Sequence, residues 1–308
     1  MHPVIRHPVF DLDNTLLVEA GTELSPAFMK EFSRRNGARH AAVSLLEHGS
    51  VHADLLRQFT IRPYDAIFSN PAAAATVLDV MERITLPLPI LRILDHFREQ
   101  DFHTYRHMLM ISALSTLILS HLEPRRRKPE EDKFTHFGPF HDVGKYSVPL
   151  PVLLKKTPLT SDELDLLRHH AVSGYILLSY YLGDHEGLAA AIALDHHERR
   201  NGSGYSRGIR LNNLVVEVTT VCDIYDALVA QRPYRPISYD NRTAIEELTW
   251  MAQRGEIGWE AVQVLVALNR GDGRLAGKIQ VSLERRGAPP EQNVYGKLAD
   301  EKENPATQ

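Results

Sequence analysis

Cysteine is all but absent. Cys222 is the only one in 308 residues, so no intrachain disulfide can form, and a reducing cytosol is the expected compartment. It lies in the apolar run Val215 to Leu228 and reads as a small buried hydrophobe. A membrane-length apolar run is missing as well. The most apolar stretch, Met108 to Leu122, falls short of the roughly 20 residues that a spanning helix requires. It carries Ser112, Ser115 and Ser120 and reads as a core helix. The chain does not open with a basic segment, an apolar stretch and a cleavage site, so no signal peptide is expected. There is no basic excess either: a net charge of −4 argues against a dedicated binder of nucleic-acid polymers. Repeats and low-complexity tracts are not evident. What remains is an ordinary globular composition, 43% hydrophobic and 24% charged, long enough for a sizeable core and two domains.

Histidine, by contrast, is plentiful, with 16 copies. Many fall in an ordered series with aspartate: His107, His141-Asp142, His170, His196-His197 and Asp223. Neutral imidazole and carboxylate are the ligand types that suit a first-row divalent metal such as iron or manganese. The adjacent His141-Asp142 pair is informative because a carboxylate has two oxygens and can bridge two ions. The series exceeds the four ligands that close one tetrahedral zinc site. It fits at least two metals, the usual apparatus for in-line attack on a phosphodiester.

Residues 1 to about 70 read as short β-like runs and turns, such as Pro8-Val9-Phe10 and Leu16-Leu17-Val18, with a polar helix from Pro26 to Arg35 stopped by Asn36-Gly37. An alanine-rich helical stretch lies between Asn70-Pro71 and the Leu86-Pro87-Leu88-Pro89 punctuation, which puts a boundary near residue 88. Beyond it the pattern predicts helices near 90–122, 161–182, 187–198, 212–231, 239–253 and 259–269. Thr160 and Glu163 form a candidate capping box and Gly183 a stop. The basic run Arg125-Arg126-Arg127-Lys128 is most simply a solvated loop. The expected organisation is a small N-terminal domain over 1–88, a helical domain over 89–286 and a polar tail over 287–308.

Five segments carry further chemistry. Lys145 follows His141 by four residues, and a helical turn there would bring its ammonium to the metal face to meet a bound phosphate. Of His169 and His170, about 100° apart on a helix, His170 is assigned to the site, because Gly174 one turn later allows a close helix approach. The turn Asn201-Gly202-Ser203-Gly204-Tyr205-Ser206 can bring backbone near a ligand and offers the Tyr205 ring and hydroxyl to a base or phosphate. Asp223 and Asp226 share one face of an otherwise apolar helix and need a partner, which a metal cluster would supply. Arg232 and Arg235 suit phosphate or guanine acceptors, or serve as surface ion-pair donors.

Together these segments resemble the HD-GYP family of bacterial cyclic dinucleotide phosphodiesterases, a branch of the HD phosphohydrolase superfamily. The matching pieces are Thr104-Tyr105-Arg106-His107, His141-Asp142-Val143-Gly144-Lys145, His170 with Gly174, His196-His197-Glu198-Arg199, Gly202-Ser203-Gly204-Tyr205, Asp223-Ile224-Tyr225-Asp226-Ala227-Leu228 and Arg232-Pro233-Tyr234-Arg235. The resemblance covers about residues 95 to 270. It implies a mainly α protein: an all-α HD-domain helical bundle preceded by a small α+β domain. It further implies hydrolysis of cyclic di-GMP to linear 5′-pGpG at a two-metal centre of iron, or alternatively manganese. His107, His141, Asp142, His170, His196, His197 and Asp223 would hold the metals. Asp142 and Lys145 would act in catalysis, and Tyr205, Arg232, Arg235 and Lys145 would bind the nucleotide. The N-terminal domain would serve regulation, or docking of a diguanylate cyclase or other signalling protein. Two departures stand out: the family's Gly-Tyr-Pro reads Gly204-Tyr205-Ser206, and its Asp-Gly reads Asn201-Gly202. His103 stands where members with three metals carry glutamate, so no third metal is expected. A weakly active cyclic dinucleotide receptor with a retained metal centre is the alternative.

Asp11-Leu12-Asp13-Asn14-Thr15 also matches the nucleophile motif of haloacid-dehalogenase phosphatases. That chemistry needs alternating strands and helices around a parallel sheet, a pattern the rest of the chain lacks. Short motifs of this kind recur by chance.

Overall fold

The computed structural model describes residues 2–35, 41–122, 140–231, 237–271 and 280–290. Its first part is a small α+β region. Strands β1 (Val9–Phe10) and β2 (Leu16–Val18) form an antiparallel hairpin, and β3 (Ala42–Ser44) pairs antiparallel with β4 (Thr85–Pro87). Helix α1 (Pro26–Phe32) starts at Ser25, whose side chain accepts from the Phe28 amide, with Pro26 supplying a preset first turn. The Asp11 motif is a turn device. Its Oδ1 accepts the backbone N–H of Asp13 and of Thr15, so the carboxylate is committed to the hairpin, and no parallel sheet exists among the described residues.

Helix α2 (Val51–Phe59) corrects the expectation of strands and turns over the first 70 residues. Val51, Leu55 and Phe59 recur every four residues and are all buried, which is a helical stripe. Short α3 (Asp65–Phe68) and the alanine-rich α4 (Pro71–Glu82), capped by Asn70, complete this region.

The remainder is helical, and its two longest expected helices are each divided in two. Residues 90–122 become α5 (Leu88–Gln100) and α6 (Phe102–His121), because Asp101 turns its carboxylate onto the Thr104 amide and starts a new helix. Residues 161–182 become α8 (Ser161–Arg168) and α9 (His170–Leu182), which meet at His169. The Thr160–Glu163 capping box is formed, and Gly183 ends α9 with φ +69°. A short 3-10 helix (Val143–Ser147) and α7 (Leu150–Leu153) lie between α6 and α8. Helices α10 (Leu188–Asp195), α11 (Leu214–Val229), α12 (Asn241–Gln253) and α13 (Trp259–Asn269) follow.

Helix α6 is the axis of the core. Its residues Met108 to Leu119 are buried all round, as a core helix requires, and it packs on α11, α5, α4, α2 and α13. Each buried leucine there, such as Leu114, contributes about 1.5–3 kcal/mol by leaving water. Apolar residues of the first region, Leu55, Phe68 and Met81 among them, join the same continuous core. Among the described residues, no helix is long and apolar enough to cross a membrane. Cys222 is buried, and burial pushes its thiol up to about 12. The basic run at 125–128 and the tail beyond residue 290 lie outside the described residues.

Candidate metal centre

Five elements deliver the ligand-type side chains to one place. His107 comes from the second turn of α6, and His141-Asp142 lead into the short helix Val143–Ser147. His170 opens α9, His196 caps α10 with His197 following, and Asp223 sits in α11. All but His197 and Asp223 are fully buried, and those two are partly exposed. The side chains form two groups, His107 with His141 and Asp223, and His170 with His196 and His197; within each, the ligand atoms lie within 4.8 Å of one another.

Asp142 stands between the groups and divides its oxygens. Oδ2 is 3.5 Å from His107 Nε2 and 3.4 Å from His141 Nε2. Oδ1 is 3.3 Å from His170 Nε2 and 3.9 Å from His196 Nε2. Asp223 also spans the pair, with Oδ1 3.1 Å from His107 Nε2 and Oδ2 4.0 Å from His197 Nδ1.

The outer face of each imidazole decides what its inner face can do. His170 Nδ1 lies 2.6 Å from the Leu167 carbonyl, and His196 Nδ1 lies 3.1 and 3.0 Å from the carbonyls of Ile192 and Ala193. A carbonyl only accepts, so both Nδ1 atoms donate, and a neutral ring then presents a lone pair at Nε2. His107 Nδ1 is 2.6 Å from Asp226 Oδ2. Burial favours a neutral Asp226, but the Arg106 guanidinium and His107 outweigh it and hold the carboxyl far below the usual range. Asp226 therefore accepts too, and a neutral His107 would present its Nε2 lone pair inward.

The result brings ring nitrogens face to face, and in His170 Nε2 and His196 Nε2 two acceptors oppose each other. His107 Nε2 is 3.1 Å from His141 Nε2, and His170 Nε2 is 3.3 Å from His196 Nε2 and 3.2 Å from His197 Nε2. Burial lowers His170 to about 4 and His196 to about 3, with neighbouring histidines lowering His196 further. His197 is held well below its ordinary value by burial and then by His196. Neutral imidazoles converging on ionised carboxylates, with lone pairs turned inward, have the donor chemistry of a divalent-cation site. The residues fit a pair of metals.

Two glycines fix the spacing. A Cβ at Gly144 would stand 1.9 Å from the His170 carbonyl oxygen and 2.3 Å from the Gly174 nitrogen. The turn bearing Asp142 thus lies backbone to backbone on α9, the close approach expected at Gly174.

Residues 101–258 match the family model described as an HD domain. The chain belongs to the HD-domain family. Relatives agree with the HD-GYP resemblance. A cyclic di-GMP phosphodiesterase of Thermotoga maritima is 35% identical over 150 residues, 48% of this chain and 40% of that one. One from Pseudomonas aeruginosa is 32% identical over 169 residues, 54% of this chain and 40% of its own. A 3′3′-cGAMP-specific phosphodiesterase of Vibrio cholerae is 33% identical over 160 residues, 51% of this chain and 29% of its own. The HD-domain chain therefore spans well under half the length of these curated relatives.

Around the ligand cluster of this HD domain, the expected substrate residues fare differently. Lys145 does reach the metal face, where its Nζ contacts Asp142 Oδ2 at 2.5 Å. Burial would raise the Asp142 carboxyl, but Lys145 and then His141 hold it well below the carboxylate range. Tyr205 stacks on His197 with ring centroids 4.5 Å apart, and the Arg168 guanidinium lies 5.2 Å from the tyrosine ring centre. His103, one turn before His107, is exposed. Arg232 and Arg235 lie outside the described residues. His169 is buried, bonded to Ser173 Oγ at 2.9 Å and edge-on to His7, so it supports α9 from behind.

Three residues have larger roles than their sequence context suggested. Asp226, expected to find its partner in a metal cluster, is answered by Arg106 and Tyr64 as well as His107, and stands behind the ligands. Its three-residue spacing from Asp223 was the available signal. Glu198 is fully buried, and its carboxylate accepts the backbone N–H of Arg207, Gly208 and Ile209 at 2.6, 3.1 and 3.1 Å. It clamps the loop that carries Tyr205, while Arg207 pairs with Asp195. An acidic residue directly after a ligand pair was the visible hint. Tyr64 had none.

Proposed function

We propose that this chain is a metal-dependent phosphodiesterase that opens cyclic di-GMP. His107, His141, Asp142 and Asp223 would hold one cation, and Asp142, His170, His196 and His197 the other. The observation that carries this reading is the division of the two Asp142 oxygens between the two histidine groups. The substrate class is supported by the names of the Thermotoga and Pseudomonas relatives. Two cations bound there would acidify a water and polarise the phosphoryl oxygens.

The chain's own side chains do the remaining work. Lys145 sets an ammonium at the accessible edge of Asp142, where it can meet charge developing on a phosphoryl oxygen. Tyr205 offers a ring and hydroxyl beside His197, held there by the Glu198 clamp, and Arg232 and Arg235 are assigned to the nucleotide. Iron is the metal proposed, with manganese the alternative. His103 is exposed, and a neutral imidazole attracts a third cation less than a carboxylate would, so the reaction should stop at 5′-pGpG short of GMP. Residues 1–88 are proposed as the part that receives a signalling partner such as a diguanylate cyclase.

The test is turnover of labelled cyclic di-GMP by anaerobically metal-loaded protein, with products separated by chromatography. Conversion to 5′-pGpG is expected. Tight binding without turnover would make the chain a receptor, and neither binding nor turnover would overturn the substrate. The Vibrio relative's name makes 3′3′-cGAMP the parallel substrate to run.

A further inference from the structure

Tyr64 lies outside the segment that matches the HD domain, between α2 and α3, yet its buried hydroxyl reaches the Asp226 carboxylate behind the candidate ligands. It donates to Asp226 Oδ1 and accepts from Arg106 Nη1 at 3.0 Å. Arg106 in turn grips both oxygens of Asp226, at 3.0 and 2.8 Å, and Asp226 Oδ2 receives Nδ1–H of His107. The three groups Tyr64, Arg106 and Asp226 close a ring of hydrogen bonds. The only member facing the ligands is the Asp226 oxygen on His107.

We propose that Tyr64 is a positioning residue of the metal centre, fixing the Asp226 carboxylate so that its Oδ2 aims at His107 and His107 Nε2 aims at the cation. Without the hydroxyl, Oδ1 loses a donor and Arg106 loses an acceptor. The carboxylate then turns toward the guanidinium and draws Oδ2 off the imidazole. Partners of this outer kind set the orientation and basicity of a metal-bound histidine. The proposal rests on the reading of His107 as a ligand, and it makes the N-terminal region a contributor to the site.

A second link provides the control. Tyr105, the neighbour of Arg106 on α6, donates its buried hydroxyl to Asp54 Oδ2 at 3.0 Å, and so also ties α6 to the N-terminal region. That bond leads to Ser50 and Arg98, away from the ligands. Tyr64→Phe and Tyr105→Phe remove chemically equal groups, and only the first should be felt at the metal.

The experiment titrates chelator-stripped full-length protein with Mn²⁺, following free ion by electron paramagnetic resonance. Metal-free melting curves report on folding. Tyr64→Phe should weaken one of the two sites roughly 10–100-fold and leave the other unchanged, while Tyr105→Phe leaves both unchanged. Equal weakening in the two variants, wild-type affinity in Tyr64→Phe, or equal loss at both sites would overturn the positioning role. If Tyr64→Phe melts below the working temperature, the same titration on Tyr64→His, which keeps a ring donor, decides: affinity nearer wild type than His107→Ala supports the role, and affinity equal to His107→Ala overturns it. A wild-type chain that binds no Mn²⁺ would sink the metal reading itself; the other outcomes leave that reading standing.

Discussion

The two halves of the candidate centre are held in different ways. On one side, His170 and His196 are oriented by backbone carbonyls of Leu167, Ile192 and Ala193, all within four residues of the ring they hold. On the other, His107 is oriented by a carboxylate 119 positions away, itself held by Arg106 and Tyr64. In the first half, the orientation of those two rings, His170 and His196, comes with their helices. The second is a buried charge network that depends on three distant segments meeting. A charged orienter makes its imidazole more basic and more responsive to change; a neutral carbonyl makes it robust. The halves should therefore fail differently.

Asp142→Ala tests what joins them and should have the largest effect. Losing the shared carboxylate should release both ions and abolish turnover; a variant that keeps its full metal content would remove the bridge. Next comes Asp226→Asn, which strikes the networked half alone. A buried Arg106 left without its counter-charge should cost about 3–5 kcal/mol in urea unfolding. Loss of metal confined to one site would sharpen the comparison, and equal loss from both would break it.

Lys145→Ala belongs to neither half. With metal content intact, it should slow turnover by about 10²–10³, or about 2.7–4 kcal/mol. An unchanged rate constant would place the ammonium on Asp142 only. Glu198→Gln should then cost about 1–3 kcal/mol in stability, because an amide cannot accept all the loop N–H groups. It should raise KM through Tyr205 more than it lowers kcat, and an unaltered KM would detach that loop from the substrate.

The smallest effect is with pH. His170 and His196 of the metal-free chain titrate near 4 and 3 when folded, against 6.5 when unfolded. Between those values the unfolded chain holds more protons, so stability falls as pH falls, by under about 1 kcal/mol per histidine at pH 6. Asp226 is held ionised throughout that window, so acid should loosen the carbonyl-anchored half first. Histidine ring shifts followed by NMR would show the order, and simultaneous loss of both halves would contradict it.

The contrast also explains what could be read from the sequence. The gathering of the histidine and aspartate series was legible because each member sits in a short motif with its own spacing, and the core helices were legible from apolar periodicity. Helix breaks at Asp101 and His169 were not, since continuous periodicity hides a cap inside a run. Tyr64 could not be found at all: its partner lies 162 positions away and nothing around it repeats a pattern. The α2 stripe of Val51, Leu55 and Phe59 was readable but was masked by the turn residues on either side.

The contact of Gly144 on Gly174 bears on the order of assembly. It is main chain against main chain, with no room for a side chain between. Asp142 and His170, 3.3 Å apart, are carried by the two backbones that meet there. If the centre takes metals as proposed, a chain synthesised where metal is scarce would have the spacing of Asp142 and His170 set by the glycine contact before any ion arrives.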